Sequence, residues 1–567
     1  MSSRRSFIGG AGSAAAAILY GLRARADARA PSAGTVVAHG EPLVESERRS
    51  VLEAMAQEDI PGVAVCLIRD GRPAWVEGLG VTDRKSKRPV SVDTIFSIQS
   101  TSKNITAVGT LMAVQHGLLD LDAPIGEYVP EFTVHSRFEA APQAKITLRL
   151  LLSHHAGFTH EAPVGNNYAP ESPDFEAHVR SISSTWLRFP VGERYRYSNL
   201  GADLAGYIVQ VRAGMPFAEW VRSVLFEPLG MADSTVATNV YVRRKNRAVG
   251  HHKGYLSVPL KTPLIASGGV YTSARDMAAY TLFHLHRGKA GGKVILREDL
   301  WSEMHGFPLG GDYSLGVIRE ELRYGETQVR LFSHQGGGFG FGCVFEYCPE
   351  AGLAWAALFN RPADAAYRFG RGLVYGVLTQ RFGAQKPRLP VQDLAPIELR
   401  PERLESFVGN WVGRAFMREM KIDNGTLGME IGSSLTPLQF LSPTVAFTAA
   451  PDGSAVVYDY HAARPNEPAH LECFVGEISL DYNDGPRDAA GPDKPSWAPF
   501  QGEYHIDQWG KPAEQVTVHR RNGWLYLNQI RLIVELEPGL FFTSDGEVVD
   551  FRPAVPTWRN LRLQRTA

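Results

Sequence analysis

Phe96-Ser97-Ile98-Gln99-Ser100-Thr101-Ser102-Lys103 runs directly into Asn104-Ile105-Thr106-Ala107-Val108-Gly109-Thr110-Leu111-Met112-Ala113-Val114-Gln115-His116-Gly117. Ile105, Val108, Leu111 and Met112 recur at the spacing of one buried helix face, and Gly117 supplies a stop. A helix is therefore expected from Thr101 to Gln115, with Ser100 at its N-terminus. Ser100 and Lys103 then fall one turn apart on the same side. The ammonium and the positive end of the helix would both favour negative charge growing on the serine oxygen. By itself a Ser-x-x-Lys tetrapeptide reads more readily as a helix cap followed by a solvated lysine, so the flanking sequence has to decide.

Upstream, Ser46 to Asp59 has helical periodicity, and Val63 to Ile68, Asp70-Gly71 and Ala74 to Glu77 read as strand, turn and strand. Downstream, Leu148 to about Arg287 is mainly helical and loop-rich. Strands resume from Phe332 to Phe345 and from Gly352 to Phe359, and a last helix is expected from Phe369 to Gln380. Strands at both ends with helices inserted between them imply an α+β domain, with helices packed on an antiparallel sheet closed by its own termini.

The segment from Lys386 to Pro401 separates this domain from a region of short strands and turn dipeptides that contains an internal repeat. Phe407-Val408-Gly409-Asn410-Trp411 returns as Phe500-Gln501-Gly502-Glu503-Tyr504, Asn424-Gly425 as Asn522-Gly523, and Asp452-Gly453 as Asp545-Gly546. Two small β-barrel-like domains follow from this. The expected organisation is a leader over 1–30, a catalytic domain over 38–384, a linker over 385–400, a β-domain over 401–483, a linker over 484–496 and a second β-domain over 497–567.

The leader is different in kind. Ser3-Arg4-Arg5-Ser6-Phe7-Ile8 enters a small and apolar run from Gly9 to Leu22, then Ala28-Arg29-Ala30. This is the pattern of a twin-arginine export signal, with Ala26 or Ala30 the last residue removed and the periplasm or the exterior as destination. The apolar run is shorter than the roughly 20 residues a spanning helix needs. The 567 residues carry 59 Lys plus Arg against 60 Asp plus Glu, a balance that gives no electrostatic reason to expect nucleic acid or an anionic membrane surface as partner. A small-molecule or short-peptide substrate fits better. Cys66, Cys343, Cys348 and Cys473 are too scattered for a disulfide framework or a zinc cluster, and Cys343 and Cys348, five apart in a strand, should face opposite ways. His154-His155 and His251-His252 diverge as adjacent residues must and lack a third ligand, so neither metal nor cofactor is expected.

Two further motifs carry chemistry. Tyr197-Ser198-Asn199 sits between Pro190-Val191-Gly192 and a helical pattern, on an expected loop. A phenol there could serve as general base beside a cation such as Lys103, and Asn199 offers a donor and an acceptor to a substrate amide. His334-Gln335-Gly336-Gly337 opens a strand in which glycines let a substrate backbone approach, and the Gly337 amide could pair with that of Ser100 as an oxyanion hole. Each is weak singly, since Tyr526-Leu527-Asn528 and His155-Ala156-Gly157 repeat the same letters.

Together, and in this order, the three motifs resemble those of the serine β-lactamase and penicillin-binding protein superfamily, in particular its class C-like branch with D-aminopeptidases and family VIII esterases. Phe96-Ser97-Ile98, Leu151-Leu152-Ser153-His154-His155-Ala156-Gly157 and Ser267-Gly268-Gly269-Val270-Tyr271-Thr272 add to the resemblance, which spans about residues 40 to 380. It implies Ser100 as nucleophile, Lys103 as its proton partner, Tyr197 as base or acid, and Asn199 with Gly336 and Gly337 as substrate ligands, with His334 in the third motif. His334 is the departure, because β-lactamases usually carry a lysine there that helps hold a substrate carboxylate. Lys261-Thr262-Pro263 is a poor substitute, because proline lacks the amide donor. The paired β-domains resemble the barrels of D-aminopeptidases, where a loop covers the cleft. The function expected is hydrolysis of short peptides or D-amino-acid derivatives through a Ser100 acyl-enzyme. A carboxylesterase or acyltransferase of the same fold, and a penicillin- or peptidoglycan-binding sensor that does not turn over, are the alternatives.

Overall fold

The computed structural model describes residues 36–37, 41–166, 174–251, 265–306, 309, 313–386, 391, 394–412, 417–431, 434–449, 455–462, 470–475, 478–483, 491–507, 512–528, 530–543 and 546–566. The expected leader, Lys261-Thr262-Pro263, His252, Asp452-Gly453 and Asp545 lie outside the described residues. The chain divides into two compact units, with the boundary between Ala384 and Gln385.

The first unit opens with helix α1 (Pro42–Gln57), strand β1 (Gly62–Arg69) and strand β2 (Arg72–Gly80). Helices α2 (Ser102–Gln115), α3 (Phe175–Ile182), α4 (Asn199–Ala213) and α5 (Ala274–Leu285) follow. Strands β3 (Ile318–Tyr324), β4 (Thr327–Gly338), β5 (Phe341–Cys348) and β6 (Leu353–Phe359) and helix α6 (Arg371–Phe382) close it. Within the antiparallel sheet the order is β2-β1-β6-β5-β4-β3, so β1, from the start of the chain, pairs with β6, from the end of the domain.

The sheet is buried on both faces, and alternation sorts its side chains. Val63, Val65 and Leu67 join Trp75, Trp355, Val374 and Leu378 in a core beneath α1 and α6. Ala64, Cys66 and Ile68 join Ile105, Val108, Leu111, Leu204 and Ile208 in the larger core beneath the inserted helices. Cys343 belongs to that larger core and Cys348 to the other, so the two thiols face opposite ways, and all four cysteines are buried outside any disulfide. Strand β3 went unread in the sequence, because Ile318-Arg319-Glu320-Glu321 offers no clean apolar alternation. It is held by its register with β4, from Ile318 opposite Ser333 to Tyr324 opposite Thr327.

The second unit is all β apart from short helical turns. Its last part is a nine-stranded antiparallel sheet whose two edge strands, Leu561–Arg562 and Gln564–Arg565, are neighbours in the chain, which makes it a nearly closed barrel. The sequence repeat is also a structural one. In the first copy a short turn ending at Phe407 leads into strand Gly409–Val412, and the Trp411 indole donates to the Phe407 carbonyl at 2.8 Å. In the second, a turn ending at Phe500 leads into strand Gly502–Ile506, and the Tyr504 hydroxyl donates to the Phe500 carbonyl, also at 2.8 Å. Asn424-Gly425 and Asn522-Gly523 both turn with positive φ at each residue (48° and 78°; 48° and 75°), the left-handed pair that a tight hairpin demands.

Candidate active site

The stretch that decides the fold also builds the site. A short turn, Gln99–Thr101, precedes α2, and Gln99 takes a left-handed φ of 50° so that Ser100 starts the helix at an abrupt angle. The Gln99 side-chain carboxamide reaches back to donate from Nε2 to the Ser97 hydroxyl at 2.7 Å, which holds the bend. Strand β4 crosses directly over it. A side chain at Gly336 would bring its Cβ within 2.0 Å of the Ile98 carbonyl oxygen and 2.9 Å of the Ser100 and Thr101 amide nitrogens, so only glycine fits. At Gly337 a Cβ would meet the Tyr367 hydroxyl at 2.1 Å.

Lys103 is 2% exposed. Its Nζ donates to Ser100 Oγ at 3.2 Å, Asn199 Oδ1 at 2.8 Å and the Ser267 carbonyl at 3.0 Å, and lies 4.7 Å from the centre of the Tyr197 ring. A buried ammonium is costly unless its donors are matched, and here three acceptors and an aromatic face meet it. Asn199 is not on the expected loop: it is the first residue of α4, capped by Ser198, whose hydroxyl accepts from the Leu200 amide at 3.1 Å. Its buried carboxamide turns to Lys103, and the residue is absent from the cleft wall.

The cleft, about 300 Å³, is walled by Ser100, Tyr195, Tyr197, Tyr313, Ile318, His334, Gln335, Gly336, Gly337 and Tyr367. Tyr197 is steadied by His154, whose ring centre lies 4.5 Å from its own. The Arg196 amide donates to the His154 carbonyl at 2.8 Å and the Ser198 amide to its Nδ1 at 3.3 Å. Burial, helped by the nearby Lys103 charge, holds His154 well below the usual histidine range, so it is a neutral platform.

His334 is buried with both ring nitrogens engaged. Nδ1 faces the Gln335 carbonyl at 2.7 Å, which can only accept, so it bears the proton, and Nε2 accepts from the Tyr313 hydroxyl at 2.9 Å. Burial first, and Lys103 second, push its pKa down to about 3. Where the resemblance implies a lysine in related enzymes, this cleft presents an uncharged imidazole locked to a tyrosine. Burial also lifts the Tyr313 phenol well above its ordinary range.

Ser100, Lys103, Tyr197, His334, Gly336 and Gly337 thus converge as expected, while Tyr195, Tyr313 and Tyr367 are walls that the sequence reading missed. Tyr195 had only its nearness to Tyr197 in the chain as a signal. Tyr313 and Tyr367 had none. His155 Nδ1 turns to Ser153 while His154 turns to the tyrosines, and among the described residues, which leave out His252, no group of three His, Cys, Asp or Glu could hold a metal ion.

Helices on a mixed-origin antiparallel sheet, with a serine heading a buried helix one turn ahead of a buried lysine, define the β-lactamase/transpeptidase-like class of serine hydrolases. The family model described as Beta-lactamase matches residues 48–376, and the chain belongs to that family. It is 36% identical over 403 residues to the mouse serine beta-lactamase-like protein LACTB, mitochondrial, covering 54% of this chain and 73% of that one. It is 28% identical over 213 residues to esterase EstB of Burkholderia gladioli, covering 36% of this chain. The chain spans 53% of the length of EstB and 66% of that of the unguisins hydrolase ungD' of Aspergillus campestris. The fold is shared with the crystal structure of SurE with D-Leu, at a TM-score of 0.54 and 22% identity over 77% of this chain and 99% of that one. Among the described residues no helix is long and apolar enough to cross a membrane.

Proposed function

We propose that the protein is an exported serine hydrolase that forms an acyl-enzyme on Ser100 and acts on amide or ester bonds of short peptides and D-amino-acid derivatives. The observation that carries this reading is the Lys103 ammonium, which touches Ser100 Oγ and Asn199 Oδ1 together while lying over Tyr197. In acylation Ser100 Oγ bonds to the substrate carbonyl carbon and its proton passes to the Tyr197 oxygen, which this step uses as the phenolate beside Lys103, because the ammonium already carries all three of its protons. The carbonyl oxygen takes the electron pair in front of the Ser100 and Gly337 amides. Collapse expels the amine or alcohol, which receives that proton, and water then releases the acid by the same route.

The uncharged His334–Tyr313 pair supports substrates without a carboxylate at that wall, because a carboxylate entering there would lose its hydration with no counter-charge supplied. Beta-lactam turnover is therefore expected to be poor. A carboxylesterase is the second reading, favoured by the same wall and by the esterase named among the relatives.

The test is steady-state turnover of a D-alanyl anilide, a short-chain aryl ester and a chromogenic cephalosporin, with Ser100→Ala as control. Anilide cleavage lost in the variant is the expected result, and ester cleavage alone moves the assignment to the esterase. Rates unchanged by the substitution would sink the Ser100 mechanism. A burst of one equivalent without turnover would make the protein a sensor. Export is checked by sequencing the N-terminus of the secreted protein, expected at Asp27 or Pro31.

A further inference from the structure

Asp203 lies on α4 one turn beyond Asn199, fully buried and away from the cleft wall. Its carboxylate accepts four hydrogen bonds: from the Ala266 amide at 3.0 Å, the Ser267 amide at 2.8 Å, the Ser267 hydroxyl at 2.7 Å and His178 Nε2 at 3.2 Å. Three of these bonds grip the two residues whose backbone leads to the Ser267 carbonyl, an acceptor of the Lys103 ammonium. The same segment is stitched to α2 on either side. Thr106 Oγ1 donates to the Ala266 carbonyl at 2.6 Å, and the Val270 amide donates to Ser102 Oγ at 3.0 Å.

His178, on α3, completes the arrangement. Its Nδ1 lies 2.8 Å from the Val164 carbonyl and its Nε2 faces the Asp203 carboxylate. Both neighbours only accept, so both nitrogens carry protons and the ring is an imidazolium. Burial opposes that charge, but Asp203 outweighs it, and the His178 pKa lies above its ordinary value while that of Asp203 lies below. Glu161 adds a weaker pull on His178. The charged and titratable neighbours of Lys103 are Tyr197, His154 and His334, and both histidines are neutral. The buried Asp203–His178 pair plays no part in the reaction itself, yet it stands one residue of backbone away from the ammonium that does.

We infer that Asp203 is a positioning residue: by fixing the 266–267 backbone it aims the Ser267 carbonyl at Lys103 and thereby fixes where Nζ meets Ser100. The inference rests on the reading of Ser100 and Lys103 as nucleophile and proton partner. Nζ is held by one hydroxyl, one carboxamide and one carbonyl, and loss of the carbonyl frees it to swing out of line with Ser100 Oγ. Misplacement of a reacting group by about 1 Å can cost on the order of 100-fold in rate.

The experiment is the split of kcat from KM on the aryl ester or anilide, for the wild type, Asp203→Ala, Ser267→Ala, His178→Gln and Ser100→Ala, each with its melting temperature. Asp203→Ala removes the oxygen that accepts from both backbone amides and is expected to lower kcat roughly 100-fold with KM within threefold. The carboxamide introduced by His178→Gln retains a donor for Asp203, so this variant is expected to keep kcat within threefold while melting earlier. Ser267→Ala removes only the 2.7 Å hydroxyl bond and serves if Asp203→Ala does not fold; a three- to tenfold fall in kcat is expected. Unchanged kcat in Asp203→Ala, or in Ser267→Ala where only that variant folds, overturns the inference, as does a fall in His178→Gln equal to that in Asp203→Ala, since a scaffold role would predict it. Activity surviving in Ser100→Ala would instead remove the reading on which the inference stands.

Discussion

Replacing Gly336 by alanine adds one methyl group where β4 crosses the turn that carries Ser100. The added Cβ would stand 2.0 Å from the Ile98 carbonyl oxygen, against a limit of 3.0 Å below which something must shift. All three of its nearest atoms, Ile98 O, Ser100 N and Thr101 N, are backbone, so no flexible side chain can absorb the clash. Strand or turn must therefore part by about 1 Å, and either movement separates Ser100 from Lys103 or from the Gly337 amide. The expected consequence is a loss of roughly 100-fold in kcat/KM, together with an overpacking cost of about 1–3 kcal/mol in stability. The assay is hydrolysis of the short-chain aryl ester well below the melting temperature, with Gly126→Ala as the control. A Cβ at Gly126 meets nothing within 4 Å, and that variant should match the wild type in both respects. If Gly336→Ala keeps kcat/KM within threefold while folded, the account of a glycine demanded by the crossing strand is refuted.

Tyr197→Phe should fold normally, since no hydrogen bond from its hydroxyl supports the fold as described, and should lose about 10²- to 10⁴-fold in kcat, the range of a general acid or base. A loss under tenfold would remove Tyr197 from proton transfer. Glu346, in the sheet beneath α6, is fully buried with neither carboxylate oxygen hydrogen-bonded and Arg371 at 3.4 Å, and burial lifts its pKa from 4.5 to about 7. The unfolded chain releases this proton near pH 4.5 and the folded chain only near 7, so stability is full below 4.5 and is lost as the pH climbs between the two. Glu346→Gln should therefore equal the wild type at pH 4.5 and exceed it at pH 8 by up to roughly 3 kcal/mol, read from urea unfolding at both pH values. Equal stability at pH 8 would show that Arg371 already neutralises the cost.

Much of this site could be read before any coordinates. Ser100, Lys103 and the helix between them depend on one turn of local geometry, so the spacing in the sequence was enough. The Asn-Gly hairpins were legible for the same reason, because only a left-handed pair turns so tightly. Strand β3 escaped because three of its first four residues are charged and its pairing to β4 supplies what its composition does not. Asn199 reads as loop in the sequence because the polar Tyr197-Ser198-Asn199 precedes the apolar pattern, whereas in the fold the Ser198 cap starts α4 at Asn199 itself. Asp203, a carboxylate within the apolar pattern of that helix, was a signal that went unread: a buried charge in such a place needs partners.

The family, the placing of Ser100 one turn ahead of Lys103, the α+β arrangement and the repeat in the second unit were all legible along the chain, since each rests on periodicity or chemistry within a few residues. The tertiary structure alone decided what surrounds Lys103. Asn199 and Ser267 stand 96 and 164 positions away from it, and they reach it only because helix packing brings α4 and the 266–270 segment against α2. It also decided that His334 is a neutral wall fastened to Tyr313. Burial sets that protonation, and burial is a property of the packed fold and not of any stretch of the chain.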